Sequence, residues 1–186
     1  GEGVREPQKK LGELQKKPQD ECPPEDRSHV LSSEDPKVLR QSLVAVYCSL
    51  VALANQSGKE QKLTRFHSKV APSVGVEPYL ERIWTYFNCS ESCHIMALIF
   101  VDRAVKQNPD FVVSNLTIHR LLAAATVVSA KNLDDVYYSN GHYAKVCGLS
   151  LEELNRLEAT FLSMIRWRLV VPPSEYEAYL AQILRA

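Results

Sequence analysis

The stretch of sequence that decides the fold is residues 117–133, TIHRLLAAATVVSAKNL. Residues 121–130 are apolar on almost every side, and their alanines and single serine allow neighbouring backbones to approach closely. A helix without a polar face is normally surrounded by other helices. The pattern therefore predicts a central, buried helix in an all-α domain.

Three amphipathic patterns precede this central segment, each with apolar residues at the three- and four-residue spacing of a helix. The second pattern covers residues 76–87, and the third begins after a Ser90 cap and ends at Asn108 and Pro109. No alternating run bounded by hairpin dipeptides occurs, so no β-structure is predicted. The stripe of the first predicted helix consists of Leu39, Leu43, Val46, Leu50 and Leu53.

Three more helices are predicted after the central segment. The first is short and closes at Gly148, a favourable residue for the left-handed backbone at a helix C-terminus. The second carries its apolar stripe as far as Trp167. The second and third each begin at a capping box, in which a serine and a glutamate cap each other's backbone N–H groups. The two boxes are Ser150 with Glu153 and Ser174 with Glu177.

Residues 1–37 differ in composition from the rest of the chain. They contain five of the ten prolines, charges of both signs and no aromatic residue. Such a segment buries too little apolar surface to offset the entropy lost on ordering. We therefore predict a disordered tail over residues 1–37 and one folded domain over residues 38–186.

The net charge and the cysteine pattern indicate in which compartment the protein works and which classes of partner it can bind. The 186 residues carry 22 Lys and Arg against 22 Asp and Glu, which argues against binding a phosphate backbone. Five scattered cysteines are unlike a secreted disulfide framework, and the N-terminus lacks the apolar core of a signal peptide. The most apolar stretch, residues 43–54, is shorter than the roughly 20 residues that cross a bilayer. We predict an intracellular protein of the nucleus, the cytoplasm or both, without nucleic-acid or membrane partners.

The sequence contains no recognisable enzyme motif: no phosphate-binding loop, dinucleotide fingerprint, zinc-protease pair or nucleophile elbow occurs. Cys89, Cys93 and His94 resemble part of a metal site, but a closed zinc site needs four ligands and no second pair follows. Two cysteines four residues apart on a helix are more often small buried hydrophobes. We therefore predict no catalytic residue, no cofactor and no metal ion.

Four charged residues are embedded in otherwise apolar helices: Arg82, Asp102, Lys131 and Glu158. Ionised groups in such surroundings usually have a partner, because desolvation is otherwise costly. From the residues alone, Lys131 could complement its helix dipole and Glu158 could simply be exposed. Arg82 and Asp102 could form an internal pair between two helices. These structural roles and a binding role both account for the charges.

At these residues the chain resembles the cyclins, most of all the P/U-type branch associated with phosphate signalling. The resemblance implies a five-helix cyclin box at about residues 76–171, with an extra helix before it, another after it, and no room for a second repeat. The matching blocks occur in family order at residues 78–83, 97–103, 118–124, 130–138, 143–148 and 153–158.

The resemblance implies a regulatory subunit that binds and activates a cyclin-dependent serine/threonine protein kinase, in cell-cycle or in nutrient and phosphate signalling. By position, Lys131 and Glu158 match the Lys–Glu pair of the cyclins. The resemblance implies that this pair hydrogen-bonds main-chain groups beside the mobile helix of the kinase. Arg82 and Asp102 match the ion pair that joins the first two box helices. The alternative is a cyclin-fold scaffold or transcription factor that acts without a kinase; zero net charge and a single repeat favour the kinase regulator.

Overall fold

The computed structural model describes residues 35–56 and 62–186. Helices α2 to α6 occupy the predicted box and α1 and α7 flank it, so the all-α prediction is confirmed for these residues. Residues 1–34 of the predicted tail lie outside the described residues, and its last two residues, 36 and 37, belong to α1. The helices are α1 Pro36–Gln56, α2 Val76–Tyr86, α3 Glu91–Gln107, α4 Ile118–Leu133, α5 Asn140–Cys147, α6 Leu151–Met164 and α7 Pro173–Ile183.

Helix α4 is the centre of the domain, as its apolar sequence predicts. Residues 121–130 of this helix are all buried. The helix packs most extensively against α3 and α6, and it also touches α2 and α5. Because Ala123, Ala124 and Ala125 have no side-chain atom beyond Cβ, the neighbouring helices can lie close to the α4 backbone. This packing sets the position of the polar residues at the C-terminal end of α4.

Helix α1 buries the first two residues of its predicted stripe, Leu39 and Leu43, and after them a different row of side chains. Val46 and Leu50 are only half-buried and line a groove of about 630 Å³ between α1, α3 and α7, while Leu53 is 64% exposed. The difference arises because α1 packs against both α2 and α7, and periodicity alone does not specify the direction in which a helix crosses its neighbours. The buried side chains, spaced by four residues, are Leu39, Leu43, Tyr47 and Val51.

Among the described helices, α1 is also the one that is long and apolar enough to cross a membrane. Core helices of soluble domains share this combination of length and composition. Four side chains of α1 are buried against the rest of the domain, so one face of the helix is covered.

The predicted helix caps are partly correct. The Ser150 hydroxyl accepts a hydrogen bond from the Glu153 backbone N–H at 3.1 Å, which is one half of the predicted capping box, whereas the Glu153 carboxylate pairs with Arg120. Helix α7 instead begins at Pro173, and Pro172 takes the N-cap position, so Ser174 lies inside the first turn and makes no cap. Proline is favoured at the first helical position because its fixed φ suits the helix and its missing N–H is not needed there. Ser90 does occupy the N-cap of α3, but without a side-chain cap hydrogen bond.

The apolar stripe of α6 ends before Trp167. The helix ends at Met164, and the following Ile165 is fully buried. Arg166 and Trp167 then adopt positive φ angles of 52° and 57°, a region that residues with a side chain rarely occupy. The backbone turns there, which leaves the Trp167 side chain 65% exposed and contradicts the prediction that it continues the stripe.

Two glycines of α5 give a matched test of the helix C-terminus. Gly148 closes the helix at φ +68°, whereas Gly141 lies within its first turn. Alanine at position 148 should lower the free energy of unfolding by about 1–2 kcal/mol, because left-handed backbone is unfavourable for residues with a Cβ. Alanine at position 141 should raise it by up to about 0.5–1 kcal/mol, since the nearest atom lies 3.7 Å from the added Cβ. Urea denaturation measures both changes, and equal destabilisation by the two substitutions would contradict this account.

Candidate functional site

The candidate site lies where the C-terminal end of α4 meets α5 and α6. Lys131 directly follows the buried run of residues 121–130 in α4. Glu158 lies in α6, immediately after the buried Leu157. Because α4 packs against both α5 and α6, the two predicted binding residues come together although they are 27 positions apart in the chain.

Lys131 and Glu158 form an ion pair in which Nζ lies 2.7 Å from Oε1. The lysine side chain is 29% exposed and the glutamate side chain 15%, so the pair is neither buried in the core nor fully solvated. Surface ion pairs contribute only about 0–1 kcal/mol to stability, so this pair is a weak source of folding energy. An ammonium group has three N–H donors, and Glu158 takes one of those of Lys131. Among residues 35–56 and 62–186 the other two have no acceptor, so they can serve a binding partner.

Asn140, the first residue of α5, completes this pair. Its side-chain NH₂ group donates to Glu158 Oε2 and to Asn155 Oδ1, each at 2.7 Å. Both carboxylate oxygens of Glu158 are therefore held, one by Lys131 and one by Asn140. Asn140 is not among the residues that the sequence singled out. It directly follows Ser139, whose side chain caps α5. That position is the one signal in the sequence, and an exposed first-turn asparagine would look the same.

Exposed apolar side chains lie in the connection between α4 and α5, next to the ion pair. Their exposed fractions range from 43% to 81%. Scattered exposed apolar residues are ordinary, but a contiguous group on a soluble domain indicates an interaction site. We call this group the apolar loop; its members are Leu133, Val136, Tyr137 and Tyr138.

Hydrogen bonds hold the apolar loop at both ends. At its start, the Asp134 carboxylate accepts bonds from the backbone N–H of Ser90 at 2.9 Å and from the Ser90 hydroxyl at 2.8 Å. At its end, the backbone N–H of Tyr138 donates to the hydroxyl of the buried Tyr143 at 2.9 Å. Burial raises the pKa of Tyr143, which keeps its hydroxyl protonated. A loop anchored in this way loses little conformational entropy when a partner binds.

The structure gives Asp102 other partners than the predicted Arg82. The Asp102 carboxylate pairs with Lys106 Nζ at 2.6 Å and accepts a short hydrogen bond from the Tyr179 hydroxyl. No ion pair joins Arg82 to Asp102 in residues 35–56 and 62–186. Lys106 is one turn further along the same helix, and Tyr179 comes from α7. A lysine at i+4 and a tyrosine on a flanking helix therefore replace the arginine.

The cysteines considered above as metal ligands lie at the start of α3. Cys89 contacts His94, and Cys93 contacts Asp134. Within the part of the chain that the structure describes, no three His, Cys, Asp or Glu side chains are arranged to hold a metal ion.

The chain is similar to known proteins over most of its length. A family model described as Cyclin matches residues 15–169. Cyclin-U4-1 and Cyclin-U4-3 of Arabidopsis thaliana are 36% and 42% identical to the chain over 158 and 127 residues, or 81% and 68% of its length. Cyclin-P3-1 of Oryza sativa subsp. japonica is 38% identical over 157 residues, or 82%. The matched regions span 78%, 58% and 65% of these relatives' own lengths, respectively.

Proposed function

Because the chain belongs to the cyclin family, as its resemblance to P- and U-type cyclins predicts, we propose that it binds and activates a cyclin-dependent serine/threonine kinase. Family membership itself supports a regulatory role rather than an enzymatic one. The observation that most directly supports kinase binding is the Lys131–Glu158 pair. Its lysine can donate hydrogen bonds to a partner beside the exposed apolar loop. In this proposal the pair hydrogen-bonds main-chain groups next to the mobile helix of the kinase.

The proposed mechanism is a shift in the conformational population of the kinase. A kinase is active when the small-lobe lysine pairs with a glutamate of its mobile helix, which requires that helix to lie inward. A partner that binds only the inward state raises the population of that state. Shifting a kinase from about 1% to about 99% active requires roughly 5.5 kcal/mol of differential binding. The regulator performs no step of phosphoryl transfer.

Burial of the apolar loop would supply part of this free energy. At about 25 cal/mol for each Å² of apolar surface buried, 5.5 kcal/mol corresponds to roughly 220 Å² before the costs of association and ordering are subtracted. A standard protein interface buries about 800 Å² on each partner, so this requirement is a modest fraction of such an interface. The loop supplies four large apolar side chains that are already held in place at both ends.

The ion pair has a different task in the proposal, which is to orient the kinase. Charged groups at an interface contribute specificity and register more than net affinity. Binding would remove Lys131 and Glu158 from solvent, and their mutual contact keeps either charge from being left unpaired. Asn140 would hold the Glu158 carboxylate in one orientation during this step.

We place the proposed kinase complex in the nucleus, the cytoplasm or both, in cell-cycle or in nutrient and phosphate signalling. Capture on the immobilised full chain from a cell lysate, followed by mass spectrometry and a peptide phosphorylation assay, tests the proposal. We expect a cyclin-dependent kinase to be recovered, and the purified kinase to gain about 100-fold in activity when the chain is added. A folded chain that recovers no kinase, or one whose activity it leaves unchanged, would favour the scaffold alternative.

A further inference from the structure

The turn between α2 and α3 places two cysteines next to each other. Asn88 adopts a positive φ of 49°, which turns the chain after α2. Cys89 follows directly and is half-buried, whereas Cys93, in the first turn of α3, is fully buried. Both cysteines belong to one cluster with Ser90, His94 and Asp134, and each thiol shifts the pKa of the other. Cys89 is therefore the more exposed of the two cysteines.

The surroundings of the two sulfurs differ. Cys89 Sγ lies 3.6 Å from Nε2 of His94, a buried side chain of the next turn. Cys93 Sγ lies 3.3 Å from Asp134 Oδ2 and 3.4 Å from the Ser90 hydroxyl. The Cys93 proton thus has two possible acceptors, the Asp134 carboxylate and the Cys89 sulfur. This arrangement favours a thiolate at Cys89 and a protonated thiol at Cys93.

The acidities of the cysteines follow from these contacts. Hydrogen bonds from Cys93 and His94 lower the pKa of Cys89 to about 5, although partial burial opposes them. The hydrogen bond with Cys89 and burial raise the pKa of Cys93. By contrast, burial raises the pKa of Cys147 to about 11. Thiolates, not thiols, are the reactive form of cysteine, so Cys89 combines high thiolate content with access to solvent.

We propose that Cys89 and Cys93 form a modification site that reacts with peroxides, in which Cys89 is the attacking sulfur and Cys93 the resolving one. The Cys89 thiolate attacks one peroxide oxygen and the O–O bond breaks. The products are a Cys89 sulfenic acid and hydroxide, or an alkoxide from an organic peroxide. Cys93 then attacks the sulfenic sulfur, an S–S bond forms, and the hydroxyl leaves as water with the Cys93 proton. Two thiols are oxidised and one peroxide is reduced.

Asp134 is placed to assist the second step. Its Oδ2 can accept the Cys93 proton as that sulfur becomes the nucleophile and can pass it to the departing hydroxide. At the start of the apolar loop, Asp134 accepts three hydrogen bonds, from Ser90 N–H, Ser90 Oγ and Cys93 Sγ. Formation of the disulfide removes the one from Cys93. Any effect on a kinase partner rests on the proposed function, whereas the site itself does not.

Peptide mapping of the peroxide-treated full chain tests the site. We expect hydrogen peroxide to remove two hydrogen atoms from wild type, with a Cys89–Cys93 disulfide that dithiothreitol reverses. Cys93→Ser should accumulate Cys89 sulfenic acid, which dimedone traps, and Cys89→Ser should leave Cys93 reduced. Cys48, exposed on α1 outside the cluster, is the internal control and should react more slowly. Wild-type Cys89 and Cys93 that remain thiols under conditions that oxidise Cys48 would overturn the proposal.

The pH dependence of alkylation provides a second measurement that needs no variant. With iodoacetamide, the modification rate of Cys89 should be nearly constant between about pH 6 and pH 8, because its pKa of about 5 leaves it mostly thiolate throughout. The rate at an ordinary cysteine rises roughly tenfold per pH unit in this range. A Cys89 profile with that slope would also contradict the assignment of Cys89 as the attacking sulfur.

Discussion

Exchanging the charges of Lys131 and Glu158 should abolish kinase capture while leaving the domain folded. The double variant Lys131→Glu, Glu158→Lys preserves an ion pair between the two helices but reverses the polarity that a partner meets. Each single variant instead places two like charges within the 2.7 Å contact of the native pair. The double exchange therefore separates the contribution of the pair to folding from its contribution to recognition.

The expected loss of affinity in the double and in each single variant is at least about 30-fold. Truncating one partner of a buried, hydrogen-bonded charge pair at an interface costs about 2–5 kcal/mol, and reversal is more severe. We expect the melting temperature of the double variant to stay within a few degrees of wild type, because partly exposed pairs contribute about 0–1 kcal/mol. Titration of the purified kinase, with circular dichroism on the same samples, measures both quantities.

Arg156→Glu is the matched control for this experiment. Arg156 lies two residues before Glu158 on α6, so it points to another side of the helix, where it pairs with Glu152. This control should bind the kinase as wild type does. A double variant that also binds like wild type would show that the Lys131–Glu158 pair serves only to join α4 and α6. Equal losses of helical signal and of binding would likewise assign the pair a structural role.

The largest loss of stability is expected for Phe161→Ala. Phe161 lies one turn after Glu158 on α6, is fully buried, and packs edge-to-face on Phe66 with ring centroids 6.4 Å apart. Removing a buried phenylalanine side chain loses its transfer free energy and leaves a cavity, which together amount to about 3–5 kcal/mol. For a domain of this size, that corresponds to a fall in melting temperature of roughly 6–20 °C.

Leu151→Ala is the control on the same helix. Leu151 is the first residue of α6 and is 50% exposed, so its truncation should change the free energy of unfolding by no more than about 0.5 kcal/mol. Chemical denaturation of the two variants beside wild type measures the difference. Comparable losses from both truncations would mean that α6 is not held on the core by the Phe161 ring.

The central helix could be predicted because eight of the ten residues at 121–130 are apolar and the other two, Thr126 and Ser129, are small. A helix with no polar face has no alternative to burial, whichever neighbours cover it. The capping box at Ser150 and Glu153 and the left-handed closure at Gly148 were also predictable, since both depend on backbone groups a few residues away. The start of α7 was not predicted correctly. The helix begins at Pro173 with Pro172 as its N-cap, whereas the sequence also offered a capping box at Ser174.

The candidate site was predicted in part. Resemblance singled out Lys131 and Glu158, and the structure brings them into contact. Asn140 escaped notice because its role depends on α5 lying beside α6. The Arg82 and Asp102 prediction differs from the structure because Asp102 has two nearer partners, one from the flanking helix α7.

By itself, the sequence determined the helix order and the central position of α4, because both follow from the spacing of residues close together in the chain. It also identified the family, through the resemblance of its ordered blocks to the cyclins. Tertiary structure alone decided which side chains α1 buries beyond Leu43, which partners Asp102 takes, and that Cys93 faces Asp134. These features depend on crossing angles and on contacts between residues far apart in the chain, such as those between α1 and α7. Many helix arrangements satisfy the same local pattern, and only packing density and the pairing of buried polar groups choose among them.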